Sequence, residues 1–234
     1  MADLSTAVAS GGDVTLTEDV KGEAITTAPY GNKTGLIQNG GVIDGGGNTL
    51  SVECSGDDYG IMTTGGTIKN LIINDGSRAI VLYAPTEDVI LDNVQIGGDG
   101  ILYPLNTAEH PTVEGIDLVA SNSTFKGWTS FAGIESASFT NCTFGVGTYG
   151  NLGWPYGSLL KPYINTTLKN CTFADKYYLD LSALGANCTV TLENCTVNGT
   201  TITENIVGTE CNGTETFCVE LSEGRTLADC VIFK

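Results

Sequence analysis

Apolar residues recur two apart along this chain in short runs, and each run is broken by an amide. The phrase reads Thr67-Ile68-Lys69-Asn70-Leu71-Ile72, then Ile90-Leu91-Asp92-Asn93-Val94-Gln95, then Phe139-Thr140-Asn141-Cys142-Thr143-Phe144. It returns as Leu168-Lys169-Asn170-Cys171-Thr172-Phe173, as Leu192-Glu193-Asn194-Cys195-Thr196-Val197 and as Leu227-Ala228-Asp229-Cys230-Val231-Ile232. A weaker copy is Ala120-Ser121-Asn122-Ser123-Thr124-Phe125. Period-two alternation in β-branched and aromatic residues predicts strands. The amide interrupts it: if Leu168, Cys171 and Phe173 all face inward, the chain must bend at Asn170. Asn tolerates the left-handed backbone such a bend needs.

The repeated Asn or Asp positions lie 23, 29, 19, 29, 24 and 35 residues apart. Self-similarity at that period predicts a stacked, quasi-one-dimensional architecture. Stacking places each amide over the last, so Asn70, Asn93, Asn141, Asn170, Asn194 and Asp229 are expected to form a ladder. Upstream, Val42 and Asp44 align with Ile68 and Asn70 at a spacing of 26, and Leu16 and Glu18 align a further 26 residues back. The total is about nine coils of one strand spacing each. Leu4, Ala7 and Val8 form an apolar stripe that stops at Gly11-Gly12, which predicts a short cap helix near residues 3–10. The expected organisation is one domain over 1–234, with an N-terminal cap in 1–12 and coils in 13–234.

The Asn bends, together with Val42-Ile43-Asp44-Gly45-Gly46-Gly47-Asn48-Thr49-Leu50, resemble the right-handed parallel β-helix of the pectate lyase-like superfamily. The resemblance runs from about residue 12 to the end. It implies an all-β, single-stranded right-handed parallel β-helix with a short N-terminal cap helix. It also raises polysaccharide chemistry, since pectin-degrading relatives use clustered aspartates on calcium or as acid and base. Asp57 and Asp58, in Gly56-Asp57-Asp58-Tyr59-Gly60, are the candidates here, although adjacent carboxylates between glycines are more often a turn. The polygalacturonase-like His-Gly and Arg-Ile-Lys motifs do not occur. Arg78 is the one mid-chain cation a lyase-like mechanism offers, and His110 sits in Glu109-His110-Pro111 without a paired nucleophile. No catalytic residue is assigned on these grounds.

Charge narrows the partners. The net charge is −17, with ten Lys and Arg against 27 Asp and Glu. Such a surface repels nucleic acid. No run reaches transmembrane length, and the first residues lack the basic and apolar regions of a signal peptide. One His and no Cys-x-x-Cys pair argue against zinc, so no metal and no cofactor is expected. Cys142, Cys171, Cys195 and Cys230 share a position that Leu71 and Val94 fill elsewhere, which reads as inward-facing small hydrophobes with free thiols. Cys54, Cys188, Cys211 and Cys218 stay open between thiol and disulfide. The recurring Asn-x-Ser/Thr triplets follow from the repeat and do not by themselves indicate glycosylation.

Two features point to assembly. The segment from Tyr149 to Tyr163 is rich in aromatics, and Trp154, Pro155, Tyr156 and Tyr163 are candidate interface anchors, with a self-sealing plug as the bland alternative. The chain ends on Val231-Ile232-Phe233-Lys234, so Val231 and Phe233 are expected at an end that something else covers. By fold-level analogy the first expectation is a non-catalytic structural protein of a bacteriophage particle. It would be a capsid decoration or head-surface protein, a homotrimer docked on the capsid and assembled in the host cytoplasm. The second is a secreted pectate lyase-like enzyme using Asp57, Asp58 and Arg78. The third is a bacterial surface adhesin or sugar-binding module using Trp154 and Tyr156.

Overall fold

The structure, a computed structural model, describes residues 1–28, 31–74, 77–98, 101–109, 113–147 and 155–234. It is all-β, with two long and almost wholly parallel sheets. The chain runs through one sheet, crosses to the other, and returns to lay a new strand beside the previous one. The larger sheet stacks Val42–Asp44, Gly66–Asn74, Val89–Ile96, Asp117–Ser121, Ser136–Thr140, Asn165–Lys169, Val190–Glu193 and Val231–Phe233 in parallel succession. The second sheet stacks Lys33–Gln38, Tyr59–Thr63, Arg78–Tyr83, Tyr103–Glu109, Trp128–Phe131, Ser158–Pro162, Tyr177–Asp180 and Phe217–Glu220.

Parallel in-register stacking puts like on like, so the interior is built of columns. Leu50, Ile73, Ile96, Phe125, Phe144, Phe173 and Val197 are register neighbours. In that column Phe125, Phe144 and Phe173 stack face to face, with centroids 5.6 and 5.0 Å apart. Ile43, Ile68, Leu91, Ala120, Phe139, Leu168 and Leu192 form a second column across the bend, and all are buried. The cap helix α1 spans Ala2–Ala9, buries Val8 and packs Leu4 on the core.

The bends lie where the amides are. Asn70, Asn93, Asn122, Asn141, Asn170 and Asn194 all take φ between 50° and 54°. Their side chains link successive strands. The Asn93 amide donates to Asn70 Oδ1 (3.0 Å), Asn141 to Asn122 (3.4 Å) and Asn170 to Asn141 (3.3 Å). Between Asn93 and Asn122 the line jogs: Asn122 donates to the Asp92 carboxylate at 3.0 Å, a charged and so stronger acceptor than an amide. Inside the bends, Cys142, Cys171 and Cys195 are buried free thiols, and their S–H groups lie near backbone carbonyls such as Phe139 O (3.4 Å) and Leu168 O (3.3 Å). Ser123 holds the equivalent place one strand earlier and accepts from Val94 N.

Three alignments made from sequence need correction. Asp229 is not a bend residue. It is the third residue of a short helix α2, Leu227–Cys230, and closes a capping box in which Thr226 N and Oγ1 donate to its carboxylate at 2.8 and 2.7 Å. The strand begins only at Val231, which registers on Val190, so Cys230 leaves the thiol column as well. At the other end Asp44 registers on Lys69 rather than Asn70, and Thr15 registers on Asp44, so Leu16 and Glu18 do not hold the aligned places. The cause is a wide corner. Five residue steps separate Asp44 from Thr49 where three separate their partners Lys69 and Ile72. Gly46 and Gly47 take the extra turn at φ 58° and 84°. The Asn70 amide still reaches Asp44 Oδ1 at 3.1 Å.

Candidate functional site

On the outer face of the second sheet, register again places like on like. Trp128, Leu159, Tyr178 and Cys218 form one outward row. Beside it Ser130 registers on Lys161, and Asn106 donates to Ser130 Oγ at 3.1 Å, giving a polar row that Asp180 continues. Where Trp128, at the start of the outward row, meets the polar row, an amphipathic groove of about 270 Å³ opens, lined by Arg78, Tyr103, Asn106, Trp128, Lys161 and Tyr163 among others.

Aromatic faces and cations meet in this groove. Tyr103 and Trp128 sit 5.5 Å apart at 43°. The Arg78 guanidinium lies 4.6 Å above the Tyr103 ring, a cation–π contact. It donates to Asn106 Oδ1 and to Asp57 Oδ1, each at 3.1 Å, while its buried Nε has no protein acceptor. Three strand steps on, at the far end of the groove, Lys161 Nζ pairs with Asp180 at 2.6 Å and stands 5.8 Å from the Tyr163 ring. Asp180 is also bound by the Ser182 backbone and hydroxyl, at 3.0 and 2.5 Å. These carboxylates are committed to neighbours, which suits them to hold the cations in place.

Only part of what was singled out from sequence comes together here. Arg78, Asp57 and Tyr163 do. Asp58 instead ties its own turn, accepting from Lys33 N at 2.8 Å and from the Ser55 hydroxyl at 3.1 Å, and these hydrogen bonds outweigh its partial burial and hold its carboxyl below the usual range. Trp154 and His110 lie outside the described residues. Tyr156 is withdrawn as an interface anchor: it is 1% exposed, stacked on Tyr178 at 5.1 Å, and its hydroxyl bonds Glu215 at 2.7 Å. Val231 is withdrawn for the same reason, at 4% exposed, whereas Pro155 is exposed and Phe233 half-buried. Cys211 and Cys218 form a disulfide with Cα atoms 5.4 Å apart, while Cys188 is a free thiol. Tyr103 and Lys161 were missed because they are far apart in sequence. The signal that finds them is the outward set of the stacked strands.

No family model, curated protein or solved structure matches this chain. The groove therefore has to be read from its own chemistry. Among the described residues no group of three or more His, Cys, Asp and Glu side chains is placed to hold a metal ion.

Proposed function

We propose that this protein is a right-handed parallel β-helix of the pectate lyase-like kind that binds glycans without cleaving them, as a surface component of a larger assembly. Right-handedness follows from the rule for parallel crossovers, which holds in about 98% of cases. The observation that carries the binding reading is the groove, where Tyr103 and Trp128 offer ring faces beside Asn106 and Ser130, with Arg78 and Lys161 at opposite ends. Sugar rings present apolar C–H faces and hydroxyl rims, and two aromatic rings beside a polar row meet both. Two cations gathered there, on a chain of net charge −17, favour a sugar bearing carboxylates.

The test is calorimetric titration with uronate oligosaccharides and with their carboxyl-reduced counterparts. Binding of the acidic form, lost on Trp128→Ala and weakened on Lys161→Ala in variants with wild-type melting, supports the reading. Failure to bind either set refutes it. Release of unsaturated or reducing sugars, abolished by Asp57→Ala, would replace it with the enzyme reading. For the assembly, our proposal remains a decoration or head-surface protein of a bacteriophage particle, by fold analogy. Co-sedimentation with particles tests that setting separately.

A further inference from the structure

We infer that the Cys211–Cys218 disulfide is a thiol-exchange site that fixes the Trp128 platform, so that reducing it weakens binding in the groove. The inference rests on the glycan-binding reading for its consequence, and on the following geometry for its mechanism. Tyr156 packs in one cluster with Leu159, Tyr178 and Cys218 of the outward row, and Trp128, the next member of that row, and Cys211 rest against the cluster. Two hydrogen bonds that hold Tyr156 down come from inside the disulfide loop. Its hydroxyl donates to Glu215 Oε2 at 2.7 Å and accepts from Gly213 N at 3.0 Å. The loop is seated on the same segment, since a Cβ at Gly213 would come within 2.6 Å of Pro155 Cβ.

The bridge closes a short loop, of sequence separation 7. Opening it returns conformational freedom to Gly213 and Glu215. Two hydrogen bonds to Tyr156 are then loosened, and the ring presses less firmly on Tyr178 and Leu159. Trp128, next in the row, is then supported less firmly on that side, with Tyr103 still on the other.

The two sulfurs differ in access: Cys218 is fully buried and Cys211 half-buried. A small dithiol therefore attacks as thiolate at Cys211 Sγ. The S–S bond breaks, and its electron pair leaves on Cys218 Sγ, which takes up the proton shed by the attacking thiol. The second thiol of the reagent then cleaves the mixed disulfide. Two electrons and two protons pass to the protein, which ends with two thiols, and the reagent ends as a cyclic disulfide.

The experiment follows Trp128 directly. In a Trp154→Phe background Trp128 is the sole tryptophan, and its emission is read before and after dithiothreitol, with thiols counted. The expected result is a red-shifted Trp128 emission once two further thiols appear. The same shift is expected in the Cys211→Ser/Cys218→Ser protein and in Tyr156→Phe with the bridge intact, while Glu215→Gln, which keeps an acceptor, shows little. Affinity for the uronate oligosaccharide should fall roughly tenfold on reduction, about the effect of loosening one aromatic anchor. Unchanged emission in the double-serine and Tyr156→Phe proteins overturns the inference even where the glycan binds. If no glycan binds the oxidised protein, the proposed function fails and the emission shifts alone decide the latch.

Discussion

Asn141 holds φ 54°, donates to Asn122 and accepts from Asn170, so its side chain and its backbone serve the same bend. Asn141→Ala removes both hydrogen bonds and places a Cβ residue without local compensation in the left-handed region. The expected cost is about 2 kcal/mol in urea denaturation, and Asn141→Gly should recover part of it by easing the backbone alone. At Cys171 the thiol is pushed well above its usual pKa by hydrogen bonds with Cys142 and Cys195 together with burial, so it stays a neutral filler. Cys171→Ala should cost about 1 kcal/mol, as a small cavity does, and alkylation of the folded protein should spare it. Asp44 is the acid-sensitive member. The Gly46 N–H first, then the Asn70 amide and Lys69, hold its carboxyl below its ordinary value of 3.8. Its contribution is complete above that unfolded value and disappears as pH falls through the lower folded one. Thermal melts of wild type and Asp44→Asn should therefore differ near neutrality and converge in acid.

Among the elements, the Tyr156 segment and α2 carry separate predictions. Burial, then Glu215, pushes the Tyr156 phenol up from 10.0 to about 12. The folded state favours the neutral phenol, so its stabilising share is whole below pH 10.0 and lost as pH rises to about 12. Ultraviolet titration should show late-ionising tyrosines, since Tyr59 and Tyr177 are also pushed up by burial, and Tyr156→Phe should remove one of them and diminish the alkaline loosening. Thr226→Ala breaks the capping box of α2 and should destabilise by about 1 kcal/mol in the same denaturation assay. The bends were legible in the sequence because a left-handed position restricts which residue can stand there, and that restriction repeats. The ends were not. At Asp229 the local phrase Thr226-x-x-Asp229 is a helix start, and the cap prevailed over the resemblance to a bend. At Asp44 the three consecutive glycines lengthened the corner, and a fixed spacing could not anticipate it.

For the molecule as a whole, charge sets a background. With 27 acidic and ten basic residues, repulsion outweighs the four ion pairs found among the described residues, Lys69–Asp44, Arg78–Asp57, Lys161–Asp180 and Lys169–Glu193. Added salt screens both, and the imbalance decides the sign: Tm should rise from low to moderate ionic strength. The groove was the least legible feature. Arg78, Tyr103, Trp128 and Lys161 sit on four different strands, and nothing local marks any of them as a partner of the others. Only the register, which depends on every intervening loop length, brings them side by side.

That register also makes the groove a modular object. Each pass through the second sheet contributes one member to the outward row that begins at Trp128 and one to the polar row, at a step of about 4.8 Å. A duplication of one whole pass, placed between Phe131 and Ser158, would lengthen the binding face by a step without disturbing either end. Deleting the pass that carries Trp128 and Ser130 would draw Arg78 and Lys161 closer by the same amount. Chain length in this architecture thus translates into ligand length. Variants differing by whole passes should select oligosaccharides that differ in size, while each interior column simply gains or loses one member.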